Sequence, residues 1–417
     1  MNEQIKQRIE QIQRGEVPAG YKKTKAGIIP NEWELWMISD CLEKVDNPVS
    51  VETDTVYTQI GIRSHGKGLF YKEPVKGKEL GNKSVFWIEP NCFVLNIVFA
   101  WEQAFGKTTN NEVGMIASHR FPMYRPINNS VDLDYLICYF LTKRGTDILD
   151  AASPGGAGRN RTLGQDRFVK SKIVLSPLPE QQKIAEILSA QDKLIALKEK
   201  LIEEKKRQKK ALMQQLLTGK KRLPGYSDEW KPTKLKKLLK ERKTYSQKGL
   251  EYPHVTLSTD GIYAKTERYD REHLVKSEDK EYKITHKGDI CYNPANLKFG
   301  VICVNTFGDA IFSPIYVTFE VQKGVDLGFL SNYLMRWDFI NAVRKYEEGT
   351  VYERMAVKPE DFLKFEIKLP SIEEQKAISK ILSLYDSEIE LLKKDIGQEK
   401  QKKKALMQLL LTGIVRV

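Results

Sequence analysis

The sequence predicts an α+β protein made of two copies of one unit, each a β-rich body followed by a long helix. Three observations carry this. Residues 178–219, LPEQQKIAEILSAQDKLIALKEKLIEEKKRQKKALMQQLLTG, recur without a gap as residues 372–413, IEEQKAISKILSLYDSEIELLKKDIGQEKQKKKALMQLLLTG. Glu180 matches Glu374 and Ala211 matches Ala405, each 194 residues on (374 − 180; 405 − 211), and VDLDYL at 131–136 meets VDLGFL at 325–330 at the same offset. The intervening bodies carry short β-rich runs broken by Gly, Pro and Asn, and each opens on a similar marker, NEW ending at Trp33 and DEW ending at Trp230.

Taken in order, residues 1–33 read as an N-terminal helix and lead-in, and 34–176 as a first module. Residues 177–219 form a first spacer helix, 220–369 a linker and second module, and 370–417 a second spacer helix. VYTQIGI, SVFWIEPNCFVLNIVF, KITHKGDICYN, FGVICVNTF and AIFSPIYVTFEV are the strand candidates, and LDYLICYFLTKRGTDIL and LGFLSNYLMRWDFINAVRKY are helical. EPNCFVLN aligns with HKGDICYN and ASHRFPMY with FSPIYVTF, so the bodies share a skeleton although their sequences diverge. In the helices Ile184, Ile187, Leu188, Leu194, Ile195, Leu201 and Ile202 recur at three- and four-residue steps, as do Ile378, Ile381, Leu382, Ile389, Leu392 and Ile396. A seam this long needs a long partner, and each copy supplies the other's. Pro177, Pro179 and Pro370 stop the preceding strands, and Gly219 and Gly413 end the helices.

A chain of 417 residues with 41% hydrophobic content can bury more than one core, and a formal charge of +13 favours nucleic acid as partner over an acidic protein. No apolar run approaches the roughly 20 residues a membrane span requires, and MNEQIKQRIEQ is too polar for a signal peptide, so a cytoplasmic protein is expected. Cys41, Cys92, Cys138, Cys291 and Cys303 lack metal-binding spacing, which argues against a metal site or a disulfide framework. Charge runs such as KKRQKK (205–210) read either as solvated faces or as contacts to phosphate or to an acidic partner.

GIRSHGKG (61–68) resembles a phosphate loop, but Gly68 stands where the Mg²⁺-binding hydroxyl belongs, and Pro74 and Gly77 follow where a helix should open. It reads instead as a turn between strands, either inert or aimed at a polyanion. NPAN (293–296) lacks the second proline and aromatic of an amino-methyltransferase motif, and EYK (281–283) only echoes a nuclease motif.

The duplicated helix ending in KKALMQxLLTG, the NEW and DEW openings and the paired modules resemble the DNA specificity subunit of type I restriction-modification enzymes over essentially the whole chain. The resemblance implies two α/β target recognition domains, each reading half of a bipartite site. They would be separated by two long antiparallel coiled-coil helices related by a pseudo-twofold internal repeat. It also implies a non-catalytic chain that binds double-stranded DNA, two methyltransferase subunits and, through them, restriction subunits. The chain would bind no cofactor of its own, S-adenosylmethionine, ATP and Mg being the partners'. Two rivals stay in view: a fused restriction-methylation enzyme, and a basic coiled-coil protein binding DNA without sequence preference.

Under the resemblance the DNA-facing candidates of the first module are Arg63, Ser64, His65 and Lys67 in the loop, with Asn96, Trp101, Lys107, Ser118, His119 and Arg120 near strand ends. Trp101 serves equally as core. Arg159 and Arg161, in SPGGAGRNR, either grip phosphate or lie in a surface linker. In the second module Lys265 and Arg268 occupy the counterpart of the first loop. Asn293, Asn296, Lys298 and Ser313 complete the set, the amides suited to adenine and the cation to guanine or phosphate. Ile184, Ile187, Leu188, Leu194 and Leu201, with Ile378, Ile381, Leu382, Ile389 and Leu392, are the spacer and subunit-docking residues.

Overall fold

The computed structural model describes residues 3–81, 84–155, 161–247, 252–265, 281–347 and 356–417. The chain divides into two units, residues 1–198 with 395–417, and residues 199–394.

In the first unit a four-stranded antiparallel sheet runs Phe105–Lys107, Phe93–Leu95, Met123–Pro126, Leu42–Val45. Beside it Val85–Trp87 pairs with Ile116–Ser118, and Ile60–Ile62 forms a hairpin with Leu69–Tyr71. Glu34–Met37 pairs with Lys172–Leu175, so the body's first and last strands lie side by side and it leaves where it began. Helices Leu133–Phe140 and Lys143–Ala152 replace the single helical stretch expected; Thr142 separates them by accepting Gly145 N–H as an N-cap. Phe93, Phe105, Phe140 and Phe168 stack in the core with ring centroids 5.3–6.4 Å apart.

The second unit repeats this plan. Its sheet runs Leu239–Glu241, Val317–Val321, Ile290–Tyr292, Ile302–Val304; Glu281–Thr285 pairs with Ala310–Phe312, and Lys231–Lys234 with Glu366–Leu369. The aligned pairs EPNCFVLN/HKGDICYN and ASHRFPMY/FSPIYVTF occupy equivalent strands. Phe93 and Tyr124 face each other across the sheet of the first unit, as Ile290 and Phe319 do in the second. The offset is 197 at Phe93 and Ile290 (290 − 93) and at Lys107 and Val304 (304 − 107), and 195 at Tyr124 and Phe319 (319 − 124). It reaches 194 at the N-caps Asp132 and Asp326 (326 − 132), which accept Tyr135 and Phe329 N–H. The first unit therefore carries two extra residues before Ile116, in the connection that holds the 3-10 turn Asn110–Glu112, and one more after Tyr124. That is why the NEW and DEW markers stand 197 residues apart (230 − 33) while the helices stand 194 apart.

The two helices, Leu178–Leu216 and Ile372–Leu410, have 39 residues each, about 58 Å at 1.5 Å per residue. Both units draw on both helices. In the first, Lys198 pairs with Asp395 at 2.8 Å and Glu399 at 2.9 Å, and Asp192 with Lys403 at 2.6 Å. In the second, Lys205 pairs with Glu388 at 2.8 Å and Lys209 with Asp386 at 2.6 Å. Rising numbers meet falling ones, so the helices run antiparallel. Leu188, Ile195 and Ile202 on one, and Leu382, Ile389 and Ile396 on the other, recur every seven residues and are at most 7% exposed. Ile184 and Ile378 are fully buried nearer the bodies, and Ile187, Ile381 and Leu392 are half-buried.

Leu194 and Leu201 do not belong to the seam: they are 37% and 42% exposed. Each precedes a seam isoleucine, and neighbours on a helix point about 100° apart, so only one of each pair can face the partner helix.

Both helices end at a glycine in the left-handed region, Gly219 at φ 72° and Gly413 at φ 71°. The chain then turns back, and three residues later an arginine reaches the start of the other helix. Arg416 grips Glu180 at 2.6 and 2.9 Å, and Arg222 grips Glu374 at 2.8 and 2.7 Å. The same carboxylates accept the indole N–H of Trp33 (2.9 Å) and Trp230 (3.1 Å), which explains the NEW and DEW markers. The next residues, Gln181 and Gln375, accept Asp132 and Asp326 N–H at 2.9 Å, tying each body's helices to its long helix.

Candidate nucleic-acid interface

In the first unit most of the candidate residues converge on one turn, residues 96–103. Asn96 is buried, and its side-chain oxygen accepts Val98 N–H at 3.1 Å, so its first role is to turn the chain. Gln103 closes the turn in the left-handed region at φ 61°. Three segments hang from this frame. His65 and Gly66 donate their N–H groups to the carbonyls of Glu102 (2.8 Å) and Gln103 (2.9 Å). Ser64 donates its hydroxyl to the Glu102 carboxylate at 3.0 Å. The Arg120 carbonyl accepts Ile97 N–H at 3.0 Å, and Leu163 N–H reaches the Ile97 carbonyl at 2.8 Å.

The GIRSHGKG loop is thus a six-residue hairpin connection between Ile62 and Leu69, and no helix follows it. Gly66 at φ 63° sits where a Cβ would lie 2.3 Å from the Leu141 side chain, so any larger residue there is strained and must push Leu141 aside. Arg63 is exposed, donates to the Leu69 carbonyl at 3.0 Å and lies over the Phe70 ring at 4.9 Å. His65 and Lys67 are exposed. Tyr71 donates to Glu112 at 2.5 Å, which ties this hairpin to the connection holding the extra residues. Burial pushes the Glu112 carboxyl up, but the bonds from Tyr71 and Thr109 hold it below the usual range.

The remaining first-unit candidates divide by partner. His119 and Arg120 are exposed at the turn after Ile116–Ser118, and Ser118 is half-buried. Lys107 is paired with Asp134 at 2.6 Å. Trp101 is half-buried, donates to the Val98 carbonyl at 3.2 Å and carries the Arg161 guanidinium over its ring at 5.1 Å. Arg161 also bonds Asp150 and the Ser153 carbonyl. Arg159 lies outside the described residues, as does Arg268.

The second unit has the same turn at residues 293–300. Asn293, buried, accepts Ala295 and Asn296 N–H at 3.1 and 3.2 Å; Gly300 at φ 81° stands where Gln103 stands, and Val357 N–H reaches the Pro294 carbonyl at 3.3 Å as Leu163 reaches Ile97. What hangs from it differs. The equivalent hairpin, Val255–Ser258 with Gly261–Ala264, closes in two residues instead of six. Asn296, Lys265 and Ser313 are half-buried. Lys298 lies 5.3 Å over the Phe299 ring. Phe299 and Ile315 are each 62% exposed, and the sequence reading passed over both because single apolar residues in loops carry no pattern. Lys283 of EYK is 3% exposed and paired with Glu241 at 2.7 Å, so that motif is a buried structural pair.

Chemically, the segments around each turn present exposed basic side chains, Arg63, His65 and Lys67 in the first unit, and the half-buried Lys298 and Asn296 in the second, groups suited to phosphate oxygens and base edges. Among the described residues no three of His, Cys, Asp and Glu cluster as metal ligands, and no helix is long and apolar enough to cross a membrane.

Comparison with known proteins places this geometry in context. The family model of the type I restriction modification DNA specificity domain matches residues 78–207 and 227–399. A putative type I restriction enzyme MjaX specificity subunit of Methanocaldococcus jannaschii is 26% identical, the match covering 95% of this chain and 97% of that one. The MjaVIII specificity subunit of the same organism is 24% identical over 93% and 94%. Among solved structures, the HsdS subunit from Thermoanaerobacter tengcongensis shares the fold with a TM-score of 0.53 at 16% identity, covering 93% and 98%. A chain from a structural study of assembly and conformational transition in a type I R-M system scores 0.60 at 15% identity, covering 93% and 99%.

Proposed function

Because the chain belongs to the family of type I restriction-modification DNA specificity domains, we propose that it reads a bipartite duplex, one half-site for each unit. It catalyses nothing itself; it docks methyltransferase subunits and, through them, restriction subunits, which bring S-adenosylmethionine, ATP and Mg²⁺. The observation that carries this is one frame built twice with different rims. The 96–103 turn holds a six-residue loop bearing Arg63, His65 and Lys67, whereas the 293–300 turn is accompanied by a two-residue hairpin and by Lys298 beside an exposed phenylalanine. An identical frame fixes how each unit would meet a groove, and different rims let each read different bases.

Docking is supported by apolar side chains the helices leave open. Leu197 and its repeat equivalent Leu391 are 65% and 67% exposed, beside Leu194, Leu201 and Leu384. Because Leu197 and Leu391 recur with the repeat, two methyltransferase subunits per chain are expected.

The test is competition binding by the chain reconstituted with its methyltransferase, against duplexes scrambled in one half-site or the other. Arg63→Ala and Lys67→Ala should lose roughly 1–3 kcal/mol of discrimination at one half-site, the worth of a bidentate base contact, and keep the other. Equal loss on every duplex would reduce the loop to a phosphate grip.

A further inference from the structure

The first unit contains a groove of about 1030 Å³ between the end of the helix Ile372–Leu410 and the junction of the helices Leu133–Phe140 and Lys143–Ala152. Leu35, Leu141, Ile148, Met407 and Leu411 make it apolar. Lys25, Lys143, Lys172 and Lys404, all exposed, surround it, against one carboxylate, Asp147, which Lys143 already holds at 3.0 Å. Lys25, Lys172 and Lys404 have no ion pair among the described residues. The Arg144 guanidinium forms part of the wall: one nitrogen donates to the Ala26 carbonyl at 2.7 Å and another is buried without a hydrogen-bond partner.

The repeat shows why the groove is open here. The helix end lining it, KALMQLLLT at 404–412, is nearly the same in the second unit, KALMQQLLT at 210–218. The facing corner is not: Leu141-Thr142-Lys143-Arg144 has become Met335-Arg336-Trp337-Asp338. In the second unit Arg336, 7% exposed, lies 4.6 Å over the Tyr333 ring, donates to the Leu217 carbonyl at 3.0 Å and is held by Asp338. Its guanidinium thus bridges the corner and the helix end. Thr142, the equivalent residue, is too short to do so and spends its hydroxyl on Tyr139 and Gly145.

We propose that this groove binds an acidic amphipathic peptide segment of a partner protein, one per chain, with apolar side chains on Leu141, Ile148 and Met407 and carboxylates facing the lysines. An apolar floor under a one-sided ring of cations fits a helix whose polar face is acidic, and it disfavours a basic or neutral one. The site has no equivalent where Arg336 sits, so it breaks the repeat's symmetry: a partner using it is counted once, whatever docks on the duplicated helices.

The probe is a displayed library of helical peptides with leucines at i, i+4 and i+7 and all other positions random, selected on the full chain. Enriched peptides should be acidic, bind one per chain by fluorescence anisotropy, and weaken with salt. Thr142→Arg with Arg144→Asp, which installs the second unit's plug, should weaken binding at least tenfold while DNA binding is kept. Lys172→Glu with Lys404→Glu, which leaves the floor intact, should do the same. Enrichment of neutral or basic peptides, two peptides per chain, indifference to both double variants, or capture of decanoate with no peptide enriched would each overturn the proposal.

Discussion

Replacing Glu374 by glutamine tests whether the two buried carboxylates hold each body on its helix. Glu374 is 1% exposed, and its two oxygens take both Arg222 bonds and the Trp230 N–H. An amide keeps one acceptor but turns an NH₂ towards the guanidinium. Breaking a fully buried pair costs about 3–5 kcal/mol; Arg222 is 28% exposed and regains some hydration, so about 2–3 kcal/mol is expected. Glu180→Gln should cost less, about 1–2 kcal/mol, because Arg416 is 34% exposed and keeps Glu32 at 2.6 Å. Hydrogen exchange read by mass spectrometry separates the two. In Glu374→Gln, peptides spanning 222–235 and 372–382 should exchange roughly 30- to 150-fold faster, with 178–188 unchanged; Glu180→Gln should show the smaller, converse pattern. Equal effects, or a larger one from Glu180→Gln, would refute the reasoning that the remaining partner decides the cost.

The ion-pair ladder puts the repeat's centre near Lys200 and Lys394, equivalent positions 194 residues apart (394 − 200). A heptad inserted after each keeps the seam in register and adds about 10.5 Å, close to three base-pair rises. The methylated motif should gain two or three unread base pairs or activity should fall; an active variant with the original spacing would show that the helices do not set the distance. Burial, aided by Lys265, lowers the pKa of His254 below its ordinary 6.5. The unfolded chain then binds the proton first, so this contribution to stability is complete above pH 6.5 and is lost as pH falls below it. Melting at pH 7.5 and 5.5 should show a smaller drop for His254→Gln than for the parent, and an equal drop would remove His254 as the cause.

Part of the candidate site is legible in the sequence. Trp33 and Trp230 stood out as markers, but their reason, a carboxylate 147 and 144 residues away, lies across the fold. The Asn96 and Asn293 amides suit contact with DNA, but their first use is to turn the backbone. Arg161, which the sequence offers to phosphate, and Lys107, a DNA-facing candidate, are held by Asp150 and Asp134. Side-chain chemistry is written in the residue, but whether it is already spent depends on neighbours the fold supplies.

By itself the sequence determined the duplication, the two long helices, their capping glycines and the β-rich bodies, because these follow from periodicity and backbone preference within short windows. Only the tertiary structure decided which of two adjacent leucines and isoleucines faces the partner helix, which loops share a turn, and that Arg336 in one unit bonds across to the helix end where Thr142 in the other turns its hydroxyl on its own corner. Those outcomes depend on distance in space and on packing volume, and neither is a property of a local stretch of chain.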